Sequence, residues 1–177
     1  KDYYVYRGWH PGDWTAVERR DQERENLLTV AKEIVVGDFL EVAATWKKED
    51  RRFGLALGNP PYSLAMEFIE ASMDIAEHVV FLLRLNFLQA GSRAAFMQRY
   101  PPDVFVLPKR PIFGLNQQGK LGTDSGGYGW FHWPGRGERP FGRVLCLSTD
   151  GLDTSAPSPE EIQKREARIL RGYPVDN

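Results

Sequence analysis

FGLALGNPPYSLAMEFIEASMDIAEHVVFLLRL, residues 53–85, carries the pattern strand, turn, helix, strand. Phe53–Leu57 reads as a buried strand. Leu64–Ala76 puts Leu64, Phe68, Ile69, Ser72, Ile75 and Ala76 on one helical face. Val79–Leu85 is a continuous apolar run, the pattern of a parallel strand covered on both sides. Working outward, the same alternation recurs. Upstream, Thr15–Glu18 is a strand, Asp21–Lys32 a helix with an acidic first turn, and Glu33–Val36 a strand closed by Gly37-Asp38. Leu40–Lys48 is a short helix. Downstream, Gly91–Tyr100 is a helix stopped by Pro101-Pro102, because proline cannot continue it, and Val104–Leu107 is another apolar strand. Strands alternating with helices predict an open α/β sheet.

Composition agrees with one folded domain. The chain has 177 residues, 42% apolar and 27% charged, with a formal net charge of −1. That length suits a single core of ordinary size. The single cysteine, Cys146, excludes a disulfide scaffold and a zinc ribbon. No run approaches the ~18 apolar residues of a membrane span, so no membrane partner is expected. The near-zero charge argues against coating nucleic acid by charge alone, while leaving room for a local basic loop.

The remaining chain is less regular. Tyr3–Tyr6 (YYVY) is a short strand candidate. Residues 109–127 hold five glycines and little periodicity, and read as a long surface loop. Tyr128–Trp133 (YGWFHW) is an aromatic strand sending Phe131 and Trp133 to one face and Tyr128, Trp130 and His132 to the other. Arg143–Leu147 is a further strand. Residues 150–157 read as a linker following a domain of residues 1–149. Residues 158–171 form a terminal helix, with Ser158 as cap, Pro159 at the first position and Gly172 as stop. His10 and His132 have no metal-ligand spacing, and His78 is placed at a helix end, where capping explains it. No metal is expected.

Chemistry concentrates in Asn59-Pro60-Pro61-Tyr62. The carboxyl end of a parallel strand is where open α/β sheets bind ligands. Two prolines stiffen this junction, and Pro60 has no N–H. The Asn59 side-chain oxygen and the Pro60 carbonyl form a pair able to accept both hydrogens of a planar amino group. Tyr62 adds a flat face for a heterocycle. An exocyclic amine or an amide nitrogen is a poor nucleophile because its lone pair is delocalised. Two acceptors on its hydrogens draw it toward tetrahedral geometry and localise that pair. The competing reading is a proline-rich turn without chemistry.

These residues resemble the amino-group methyltransferases that use S-adenosylmethionine, whose fourth motif is (D/N)PP(Y/F). More narrowly, the chain is similar to the DNA N6-adenine methyltransferases of phages and prophages. That likeness spans about residues 16–135: NPPYSLAMEFIEAS, VVFLLRLNFLQAGSR, PPDVFVLPKRPIF and TDSGGYGWFHWPG. It implies a Rossmann-like methyltransferase sheet with helices on both faces. It implies Asn59, Pro60, Pro61 and Tyr62 as a clamp on a flipped-out adenine, since a paired base cannot reach a buried cofactor. Glu18 matches the acidic residue that holds the cofactor ribose hydroxyls. Asp38 matches the position that binds the cofactor adenine amino group, with Phe39 against its ring and Asn59 beside the cofactor. A Gly-Asp pair is also ordinary turn chemistry. For the 109–127 loop the implied role is contact with double-stranded DNA. Lys109, Arg110 and Lys120 would meet phosphates, and Gln117 and Gln118 base edges, against the alternative of a solvated hairpin connection. Arg84 and Asn86 close a strand near the same sheet edge. The implied setting is the cytoplasm of a bacterial or phage-infected cell, in a restriction-modification context.

The chain departs from the family at one place. The family's first strand and glycine-rich cofactor loop precede the acidic ribose position, whereas only seventeen residues precede Glu18 here. A parallel crossover needs about a dozen residues or more, so no complete strand-helix-strand unit fits. The missing strand belongs between the strands leading to Glu18 and to Asn59. Three explanations stand: residues beyond Lys1 or within the chain supply it, a partner chain or second copy supplies it, or the protein is a catalytically silent DNA-binding relative. The first is favoured. RNA bases and protein glutamine are the rival substrates.

Overall fold

A computed structural model describes residues 13–89, 91–115, 121–123, 126–134 and 142–148. The candidate strand Tyr3–Tyr6, His10, the linker, the terminal helix, and Gln117, Gln118 and Lys120 lie outside the described residues.

The strand-helix-strand unit forms as its sequence predicts. β3 (Phe53–Gly58) leads through Asn59-Pro60-Pro61 and a 3-10 turn at Tyr62–Leu64 into α3 (Ala65–Ile75), which returns to β4 (Ala76–Arg84). β3 and β4 are parallel. α4 (Ala94–Arg99) precedes β5 (Asp103–Val106), and β8 (Tyr128–Pro134) lies between β4 and β5, antiparallel to both. β9 (Val144–Cys146) completes a five-stranded sheet of order β3-β4-β8-β5-β9. Four of these strands run one way and β8 runs the other. The result is a mixed, mostly parallel α/β sheet flanked by helices.

The main core follows the pleat. Val79, Phe81 and Leu83 of β4 meet Ile69 and Met73 of α3, Val104 of β5, and Phe131 and Trp133 of β8. Each such side chain contributes about 1.5–3 kcal/mol by leaving water. The buried Trp133 indole is satisfied, because its Nε1 donates to the Tyr100 carbonyl at 3.0 Å. Gly129 is required in β8, since a Cβ there would sit 3.0 Å from the Phe105 carbonyl oxygen.

A second, separate sheet holds the upstream strands. β1 (Thr15–Glu18) and β2 (Glu33–Val36) pair in parallel and share no sheet with β3. The break falls between the strand ending at Glu18 and the strand leading to Asn59. The halves are joined through α2 (Phe39–Lys48), whose Ala43 and Trp46 pack with Ile75, Val17, Val35 and Phe53. α2 ends in a left-handed residue, Asp50 (φ 54°), with Arg51 N–H donating to the Trp46 carbonyl at 2.9 Å. This is a Schellman closure, built here on Asp in place of glycine. It aims Arg51 back across the joint. Its guanidinium pairs with Glu33, reaches Thr15 Oγ1 at 3.2 Å, and lies 4.9 Å from the Trp46 ring and 5.0 Å from the Phe53 ring.

Three readings are corrected. Asp21–Lys32 is not one helix: a 3-10 turn at Asp21–Glu23 passes into α1 (Arg24–Leu27), and turns follow. Leu28 and Val30 are exposed, so no apolar face anchors a longer helix. The 109–127 segment is not simply a loop, since β6 (Ile112–Leu115) and β7 (Leu121–Thr123) pair as an antiparallel hairpin with a register shift between Ile112 and Gly114. His78 caps no helix: it lies inside β4, its Nδ1 3.2 Å from His132 Nε2.

Candidate active site

β3 ends where its apolar run meets Gly58 and the two prolines, and the chain turns there without a cis peptide. Pro61 accepts from Leu64 N–H at 2.9 Å, which fixes the entry into α3. Pro60 is buried. Asn59 is exposed, and its amide makes no hydrogen bond to another described residue.

Asn59, Pro60 and Pro61 line a cavity of about 410 Å³ together with Glu18 at the end of β1, Arg19 after it, and Gly37, Asp38 and Phe39 between β2 and the start of α2. The volume lies within the ~300–1,000 Å³ of small-molecule sites. β1 and β3 both contribute to its walls, and the floor is apolar: Trp46, Phe53, Leu55, Phe68 and Ile75. One polar atom is stranded there: Ser72 Oγ is buried with no hydrogen-bond partner. The fold thus gathers Glu18, Asp38, Phe39 and Asn59 around one space.

Each acidic residue also has a local partner. Glu18 Oε1 accepts from both the backbone N and the Nε of Arg20, each at 3.0 Å. Burial raises the Glu18 carboxyl, but the Arg20 hydrogen bonds outweigh it, and the net shift is below the ordinary value. The carboxylate is therefore held ionised, and Oε2, with only a 3.4 Å contact to Arg20, keeps capacity for hydroxyl donors. Asp38 Oδ1 accepts from Leu40 N–H at 2.9 Å and caps α2, as the turn reading of Gly-Asp allowed. Its Oδ2 lies 4.0 Å from Arg19 Nε. Phe39 stacks on Phe68 with centroids 4.9 Å apart. Arg19-Arg20 directly after Glu18 was the available signal for these pairings.

Tyr62 does not line the cavity. It stands outside its rim, 38% exposed, with its ring 6.1 Å from that of Tyr128 and 5.3 Å from the Arg84 guanidinium. Arg84 Nε donates to Tyr128 Oη at 3.1 Å. Lys109 and Arg110 are exposed just before β6. Among the described residues no three metal-ligating side chains cluster, and no helix is long and apolar enough to cross a membrane.

No family model and no curated protein matches this chain. Among solved structures it is similar to a predicted O-methyltransferase, protein Atu636 from Agrobacterium tumefaciens. That match has TM-score 0.51 and 15% identity, and covers 86% of this chain and 77% of that one. The structure of M1.HpyAVI in complex with SAM matches at TM-score 0.37 and 10% identity, covering 76% and 69%. The first likeness shows a shared fold, a Rossmann-like α/β sheet.

Proposed function

We propose that this chain is an S-adenosylmethionine-dependent methyltransferase that modifies the N6 amino group of adenine in double-stranded DNA. One observation carries the reading: the Asn59-Pro60-Pro61 turn and the acidic ends of β1 and β2 open onto the same cavity. When bound there, the cofactor supplies a methyl group on a sulfonium sulfur. Glu18 would accept hydrogen bonds from its ribose hydroxyls. Asp38 Oδ2 would accept from its adenine amino group, with Phe39 held against the ring by Phe68. These residues fit an adenosine, and the apolar floor fits its uncharged parts.

The substrate amino group would donate one hydrogen to Asn59 Oδ1 and one to the Pro60 carbonyl. Both acceptors sit on a stiffened turn, so they favour the tetrahedral nitrogen of the transition state over the planar ground state. Tyr62 would stack on the extruded base. Lys109, Arg110 and Lys120 would hold phosphates, and Gln117 and Gln118 would meet base edges.

Transfer of tritiated methyl from S-adenosylmethionine to unmethylated genomic DNA tests this. The expected result is label on DNA with the wild-type chain and a loss of roughly 10²–10³-fold with Asn59→Ala. Equal labelling by Asn59→Ala overturns the clamp. No labelling, with no cofactor binding in calorimetry, favours the silent DNA-binding relative.

A further inference from the structure

A stacking platform works only if its ring keeps one orientation. Tyr62 follows two prolines but sits in a single 3-10 turn and is 38% exposed, so its own backbone does not fix its ring. We propose that Arg84, locked by Tyr128, is the positioning residue that sets the Tyr62 ring for the incoming base; this rests on the DNA-adenine reading above. The Arg84 guanidinium lies over the Tyr62 ring, 5.3 Å from its centroid, within cation–π range.

Arg84 is held from behind. It is the last residue of β4 and stands directly opposite Tyr128 in the antiparallel register. Its Nε donates to Tyr128 Oη at 3.1 Å, and Tyr128 is 1% exposed. The Tyr128 carbonyl in turn accepts from Leu107 N–H at 2.9 Å, and Leu85 N–H donates to the Gly127 carbonyl at 2.9 Å. The path from sheet core to exposed ring therefore runs Tyr128, Arg84, Tyr62. The Tyr128 ring also meets Tyr62 at 6.1 Å and 48°, closing the triangle.

Steady-state methyl transfer to unmethylated genomic DNA, with a double-mutant cycle, tests the assignment. Arg84→Met is expected to lower kcat/KM for DNA about tenfold, and Tyr128→Phe several-fold. Arg84→Lys, which keeps a cation over the ring, should recover part of the loss. Neither Arg84→Met nor Tyr128→Phe should change S-adenosylmethionine affinity in calorimetry. Added to Tyr62→Leu, neither should cost more, because the ring they orient is gone. Losses that add to that of Tyr62→Leu, or a fully active Tyr128→Phe beside an impaired Arg84→Met, overturn the assignment in favour of direct contact. The coupling has a second readout that needs no turnover. In a proton–nitrogen NMR spectrum, Tyr62→Leu should move the Arg84 Nε–H resonance by removing the ring current, and Tyr128→Phe should broaden it. An unmoved resonance overturns the coupling, whereas a wild-type chain that labels no DNA refutes the methyltransferase reading instead.

Discussion

Trp46→Ala should detach the β1–β2 half of the site while leaving the five-stranded sheet folded. Among the described residues no sheet hydrogen bond joins β1–β2 to β3, and the halves meet through the Arg51 contacts and the apolar joint at α2. Trp46 is its largest member: 8% exposed, with its ring 4.8 Å from Phe53 and 4.9 Å from the Arg51 guanidinium. Truncating a buried Trp to Ala costs about 3–5 kcal/mol. Of this, the ring pair with Phe53 accounts for about 0.5–1.5 kcal/mol. The contact with Arg51 adds about 0.5–1 kcal/mol. Burial of the indole supplies the rest. At about 1.4 kcal/mol per decade, amide protection in β1 and β2 should fall by roughly two to four orders of magnitude. Protection in β4 and β8, whose core contains no part of this joint, should stay within about tenfold of wild type. Hydrogen exchange read by mass spectrometry on peptides covering each strand measures both. An equal loss across all strands would refute the two-part account, and so would unchanged exchange in β1 and β2.

Four further outcomes follow from the same structure. The hydrogen bonds from Arg51 and Thr15 hold the Glu33 carboxyl down at about 2, from an ordinary 4.5. Its contribution is therefore full above pH 4.5 and disappears as pH falls through 2, so Glu33→Gln should flatten the acid limb of a urea-midpoint profile. Asp103 is buried, and the Arg143 side chain, at 2.7 Å, holds its carboxyl below the ordinary range; Asp103→Asn should cost about 1.5–3 kcal/mol in urea unfolding. Gly129→Ala drives a methyl to 3.0 Å from the Phe105 carbonyl oxygen and 3.2 Å from Leu85 and Val104 side-chain carbons, and should lower stability by about 1–3 kcal/mol in thermal melts. Ser72→Ala removes a buried hydroxyl without a partner, and should be neutral or stabilising by about 1 kcal/mol in the same melts.

The central unit was legible because its punctuation is strong. An apolar run, two prolines and an amphipathic helix leave few alternatives at residues 53–75, and the strands at Thr15–Glu18 and Glu33–Val36 have the predicted bounds. The His78 error has the opposite origin. α3 ends at Ile75 and β4 begins at Ala76, with no glycine, proline or loop between them, so nothing in the sequence marks the change. The glycines of residues 109–127 concealed β6 and β7, where pairing comes from backbone and not from side-chain periodicity. In the site, Asn59 is legible from the chemistry of its turn and Glu18 and Asp38 only from the resemblance, and the fold places all three around one cavity. What binds Glu18 was hidden, because the Arg20 contact depends on how the chain turns after β1. Tyr128 was hidden more deeply. It is 44 residues from Arg84, and only the antiparallel register brings the two together.

Identification of the methylated product separates adenine N6 from every other acceptor. Double-stranded DNA incubated with the wild-type chain and tritiated S-adenosylmethionine would be digested to nucleosides and separated by chromatography. The label is expected to co-elute with N6-methyldeoxyadenosine. Label on deoxycytidine, transfer only to RNA or to glutamine in protein, or no transfer at all would contradict it.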